Sequence, residues 1–131
     1  MSVGMFQMSG DEKISRLKPR FKLWLSLDSD RGGFGIGKWE LLDAIDKYGS
    51  LSSAVNSLGI SYRKAWGDLK ESEKFLGFKL IEKHRGGNLH GETVLTEQGK
   101  IFLEIFKKFY NDIEKAVDEA FEKYFVNNLL L

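Results

Sequence analysis

The chain contains no cysteine, which excludes disulfide staples, thiolate nucleophiles and cysteine-ligated metals. Its only proline is Pro19. The net charge is +1, too small for the whole-chain balance to name a polyanionic partner. No apolar run approaches the roughly 20 residues of a membrane span. Met1 to Gln7 carries no basic residue and no long apolar core of a signal peptide, so a cytoplasmic location is expected. The nucleotide-loop patterns GxGxxG and GxxxxGK(S/T) are missing. HExxH and HxxxH are missing too, so His84 and His90 are expected to be surface residues rather than zinc ligands. Asp28, Ser29 and Asp30 lack the ligand spacing and closing Glu of an EF-hand loop, so no calcium site is expected. With no nucleophile–base constellation and no paired carboxylates in an apolar setting, neither an enzyme nor a cofactor is expected.

What is present is enough for one folded domain: 131 residues, 42% hydrophobic and 30% charged. Gly49 to Leu76 reads as two helices joined by a tight turn. Leu51, Ala54, Val55 and Leu58 recur at helical spacing behind Ser50, a candidate N-cap. Gly59 ends that helix, Ile60 plugs the turn, and Ser61 caps the next. Tyr62, Ala65, Trp66, Leu69 and Leu76 then line one side of a second helix, Ser61 to Leu76. A short helix, a Gly-containing turn and a second helix is the helix-turn-helix pattern, whose second helix enters a DNA major groove. Charge distribution agrees: Gly59 to Gly91 carries seven Lys or Arg against four Asp or Glu, whereas Thr96 to Leu131 carries five against seven.

Around this unit, Met1 to Arg20 is polar and is read as an N-terminal arm. In Phe21 to Asp28, Phe21, Leu23, Leu25 and Leu27 alternate with Lys22, Trp24, Ser26 and Asp28, which predicts a strand with one buried face. The turn residues Asp28 to Gly33 follow, then a short returning strand over Phe34 to Gly37. Lys38 to Tyr48 is the first long helix, with Trp39 assigned to the core. Leu80 to Lys83, the Gly-rich loop from His84 to Gly91 and Glu92 to Leu95 make the hairpin wing of a winged helix. Thr96 caps a final helix to about Phe125, roughly 45 Å long at 1.5 Å per residue. A domain this small cannot cover that length. Phe109, Ile113, Ala116, Val117, Ala120, Phe121 and Tyr124 are therefore the candidate homodimer interface. The expected fold is mainly α with small β: a winged helix-turn-helix with an N-terminal hairpin and a long C-terminal dimerisation helix. Its parts are an arm (1–20), the domain (21–125, with the dimerisation helix at 96–125) and a tail (126–131).

The segments GSLSSAV, GISYRKAW and EKHRGGNLHGETVLTEQG resemble the N-terminal DNA-binding domain of the ModE family of molybdate-responsive transcription regulators. The resemblance covers about Phe21 to Phe125 and extends more distantly to LysR-type regulators. It implies a winged helix that dimerises through its terminal helix and regulates transcription. No molybdate-binding region matches in this chain, so molybdate binding is not expected from these residues alone.

The second helix leaves Arg63, Lys64, Gly67, Asp68 and Lys70 facing outward. Arg63 and Lys64 lie at its start, where side chains reach base edges, and an arginine can grip guanine with two hydrogen bonds. Gly67 in mid-helix is either clearance for DNA or a packing requirement. Ser52 and Ser61 are candidate phosphate donors, with capping as the competing role of Ser61. In the wing, Arg85, Gly86, Gly87 and Asn88 are candidates for the flanking backbone or minor groove. The expected function is sequence-specific double-stranded DNA binding by a homodimer. The alternative is a protein-interaction module that uses the aromatic C-terminal helix.

Overall fold

A computed structural model describes residues 8–28, 32–84 and 92–129. The chain divides into two compact units, Lys22–Lys108 and a second made of Met1–Phe21 with Phe109–Leu131.

The Lys22–Lys108 unit begins with a two-stranded antiparallel hairpin, β1 (Trp24–Leu25) and β2 (Phe34–Gly35), in register Trp24↔Gly35 and Leu25↔Phe34. Gly33 permits this hairpin, because a Cβ there would collide with the Leu25 carbonyl oxygen. The strand expected over Phe21 to Asp28 thus contracts to two residues. Its partner turns into a helix at Ile36, and a strand without a facing backbone has no ladder to join. The alternation survives through Leu25 and fails at Leu27, which is 52% exposed.

Helix α2 (Ile36–Tyr48) starts two residues earlier than the spacing predicted and buries Leu41, Leu42, Ala44 and Ile45. Trp39 packs on the core as expected and donates its indole N–H to the Leu103 carbonyl oxygen at 2.9 Å. Gly49 closes α2 in the left-handed conformation, φ 76°. Helix α3 (Leu51–Leu58) is capped by Ser50, whose hydroxyl oxygen accepts from the Ser53 N–H at 3.1 Å. Ala54 is fully buried, as a close helix–helix approach requires. Helix α4 (Tyr62–Leu76) follows Gly59 and Ile60 and buries Ala65, Leu69 and Ser72. The wing strands β3 (Ile81–His84) and β4 (Glu92–Leu95) pair antiparallel from Ile81↔Leu95 to His84↔Glu92.

Thr96 links the wing to α5 (Glu97–Phe121). Its N–H donates to the Leu80 carbonyl oxygen (2.9 Å), and its hydroxyl donates to the Lys79 carbonyl (2.7 Å) and accepts from the Gly99 N–H (2.9 Å). A side chain at Gly99 would meet the Leu80 carbonyl oxygen, so the glycine of the LTEQG segment serves close backbone packing. The core joins α2, α3, α4, the wing strands and the first turns of α5. Phe34 is buried completely and meets Phe102 and Phe106 edge-on at 4.7 and 5.2 Å between ring centres.

The other unit holds a short helix, α1 (Gly10–Ser15), capped by Ser9, within the stretch read from sequence as an arm. Phe21 packs its ring 5.3 Å from that of Tyr110. The C-terminal helix passes Phe121 into a π-helical turn (Glu122–Val126) and a last helical turn, α6 (Asn127–Leu129), instead of ending at Phe125. The Asn128 amide donates to the Lys123 and Tyr124 carbonyl oxygens, both at 3.1 Å, and so satisfies groups near the widened turn. Among the described residues, no helix is long and apolar enough to cross a membrane.

Candidate nucleic-acid interface

Helix α4 separates its faces cleanly at its start. Ser61 stands before it in extended backbone, and its hydroxyl oxygen accepts the Lys64 N–H at 3.0 Å. That bond fixes where the helix begins. One face then delivers Ala65 and Leu69 to the core, while Arg63, Lys64, Gly67 and Lys70 remain exposed. Among the described residues Arg63 makes no ion pair. Lys64 pairs with Asp68 one turn on, at 2.9 Å. Pairs of this kind are worth only about 0.3–0.5 kcal/mol and exchange readily for another anion. Asp68 is half-buried and turned toward Lys64, so it is less outward-facing than its position on the helical wheel predicts. Among the described residues nothing lies within 4 Å of where a Gly67 Cβ would stand, so no packing contact among them explains the glycine. Ser52 is exposed on α3.

Tyr62, on the same side of α4 as Ala65 and Leu69, is 46% exposed. Trp66 is half-buried, and its ring carries two cations: the Lys70 Nζ at 4.6 Å and the Lys83 Nζ at 4.4 Å from the ring centre. Lys83, on β3, also reaches the Tyr62 hydroxyl at 3.5 Å. Lys70 pairs with Glu73 at 3.3 Å. The other Glu73 oxygen accepts the Leu80 N–H at 2.8 Å and lies 3.4 Å from the Ile81 nitrogen. Glu73 and Lys83 are not among the candidates read from the sequence. The three-residue spacing of Lys70 and Glu73 is a signal for that pair, whereas no local pattern marks Lys83.

Arg85, Gly86, Gly87, Asn88 and His90 lie outside the described residues. His84 faces Glu82 at 3.3 Å. Of the candidate interface residues, Phe109, Ala116, Ala120 and Tyr124 are exposed, whereas Ile113, Val117 and Phe121 are half-buried. A groove of about 650 Å³ opens beside α4, between Lys22 and Trp24 of the hairpin region and Ile60, Lys64 and Asp68. No cluster of three or more metal-ligating side chains occurs among the described residues.

Residues 36–100 match the family described as the bacterial regulatory helix-turn-helix protein, lysR family. Those residues are therefore similar to a LysR-type helix-turn-helix domain. The match begins at the first residue of α2 and ends in the first turn of α5, so it contains the capped α4 and both wing strands. The chain is also similar to ModE regulators. It is 28% identical to the molybdenum transport protein ModE of Azotobacter vinelandii over 105 residues, which is 79% of this chain and 39% of that protein. It is 32% identical to the DNA-binding transcriptional dual regulator ModE of Escherichia coli K12 over 78 residues, 60% of this chain and 30% of that one. The chain therefore spans well under half the length of these relatives. A crystal structure of a CbnR_DBD–DNA complex superposes with a TM-score of 0.53 at 23% identity, covering 64% of this chain and 91% of the other. That likeness shows the fold alone: mostly helical, with a small antiparallel wing and a long C-terminal helix.

Proposed function

We propose that this chain binds double-stranded DNA in a sequence-specific manner as a homodimeric transcriptional regulator. One observation carries the reading: Arg63 and Lys64 stand exposed at the start of a Ser61-capped helix whose opposite face is core. Helix α4 enters the major groove, where Arg63 contacts base edges, Lys64 exchanges Asp68 for a phosphate, and Gly67 gives clearance. Ser52, Ser61 and Lys70 meet backbone phosphates, and the wing, 84–91 with Arg85 and Asn88, lies on the flanking backbone or minor groove. The names of the relatives support a regulatory role, since the E. coli protein is called a DNA-binding transcriptional dual regulator. No catalytic activity belongs to this reading.

The dimer forms through the distal turns of α5, with Phe109, Ile113, Ala116, Val117, Ala120, Phe121 and Tyr124 at the contact. Exposure of Phe109 (40%) and Tyr124 (60%) in one chain supports this. Two symmetric copies then read a palindrome with half-sites about one helical turn, ~34 Å, or a multiple apart.

Selection of bound fragments from genomic DNA, followed by sequencing and gel shift with competitor, tests the proposal. A recurrent two-fold symmetric site is the expected result. Recovery of fragments with no shared sequence would favour the rival reading, a protein-interaction module built on exposed Tyr124, Phe125 and Leu129.

A further inference from the structure

Two ammonium groups share one aromatic ring at the root of the wing. Like charges drawn together repel, and the arrangement persists here because the indole face attracts both. Their surroundings differ. Lys70 has the Glu73 carboxylate at 3.3 Å, whereas Lys83 has only the ring and the Tyr62 hydroxyl, with no carboxylate at ion-pair distance among the described residues. Lys83 is therefore an exposed cation held on the ring, with no ion-pair partner among the described residues. Glu73 anchors the backbone of Leu80 and Ile81, so the strand that carries Lys83 is fastened to the helix that carries Trp66.

We propose that Trp66 is a positioning residue that holds Lys83, with Lys70 beside it, as a backbone-phosphate site where the wing meets α4. The proposal rests on the DNA-binding reading above and adds to it a contact blind to sequence. Lys83 supplies the charge and Tyr62 a hydroxyl at its edge. Trp66 touches no phosphate; its ring keeps the lysine stem from sweeping through solvent, so less freedom is lost when the anion arrives. A phosphodiester oxygen is the matching ligand chemistry, because an ammonium binds it as a point charge without demanding a particular base.

The test measures fluorescence anisotropy of a labelled mixed-sequence duplex of about three helical turns, titrated with the full chain at several salt concentrations. The variants are Lys83→Gln, Trp66→Leu, Trp66→Phe and Trp66→Leu with Lys83→Gln. Lys83→Gln is expected to flatten the slope of log affinity against log salt by about 0.9 per protomer and to weaken binding about eightfold per protomer at 0.1 M salt. Trp66→Leu is expected to weaken binding about fourfold or more, and in that background Lys83→Gln should cost under about twofold. Trp66→Phe should restore most of the coupling. An unchanged salt slope in Lys83→Gln would overturn the proposal, as would an undiminished Lys83 effect in Trp66→Leu. Lys83 is exposed, so its variant reports even where Trp66→Leu fails to fold. A native chain that binds no duplex at any salt removes the DNA reading itself. Binding by the native chain with an unmoved slope in Lys83→Gln removes only the phosphate site.

Discussion

The two compact units use the same apolar residue types and reach opposite ends. Among the described residues, every buried hydrophobic side chain falls between Phe34 and Phe106, inside the Lys22–Lys108 unit. The other unit carries Phe109, Ile113, Val117, Phe121, Tyr124 and Phe125 at helical spacing and buries none of them. Helical periodicity specifies a helix in both. Only in the first do α2, α3, α4 and the wing supply facing surfaces from the same chain. Large apolar side chains left wet forgo about 1.5–3 kcal/mol each. That cost is why we assign pairing to the second unit and DNA contact to the first.

The largest effect should come from the buried unit. Leu42→Ala removes a fully buried side chain and is expected to cost about 2–5 kcal/mol in urea unfolding, whereas Val117→Ala at protein concentrations below dimerisation should cost well under 1 kcal/mol. Equal costs would erase the distinction between the units. Next, Val117→Glu places a carboxylate at the proposed pairing surface. Sedimentation should show the dimer dissociation constant rising about 100-fold, the equivalent of roughly 2.7 kcal/mol, with mixed-sequence DNA affinity per monomer little changed. A dimer that survives this change would sink the pairing assignment. The smallest and most discriminating effect is at Gly67. Gly67→Ala has room within the chain and should stabilise α4 by up to about 1 kcal/mol, while weakening duplex binding several-fold. Stabilisation with unchanged affinity would show that clearance for DNA is not its purpose.

Local chemistry made most of the domain legible in advance. Ser50, Ser61 and Thr96 each accept the backbone N–H three residues on, and Gly49 and Gly59 close their helices in the left-handed conformation. These are short-range events, written in adjacent residues. The failures are long-range. The first strand is cut short by what its partner does after Gly35, which alternation in Phe21 to Asp28 cannot register. Phe34 is the centre of an edge-to-face aromatic cluster only because Phe102 and Phe106 come to it from far along the chain. Glu73 looks like any solvated glutamate in sequence, yet it accepts hydrogen bonds from the start of β3. Tyr62 shares the side of α4 that carries Ala65 and Leu69, yet it is 46% exposed. A phase angle gives direction around the helix and says nothing about where the core stops.

The central claim is that the Arg63-bearing flank of α4 reads base sequence. Its most direct test compares native and Arg63→Ala chains on a fragment selected from genomic DNA and on a scrambled duplex of equal length, at one fixed salt concentration. The native chain should prefer the selected fragment by about 1,000-fold or more. Arg63→Ala should cut that preference by about 1–3 kcal/mol, roughly 5- to 150-fold, mostly through the selected fragment. A preference that stays the same without the Arg63 guanidinium would contradict the claim.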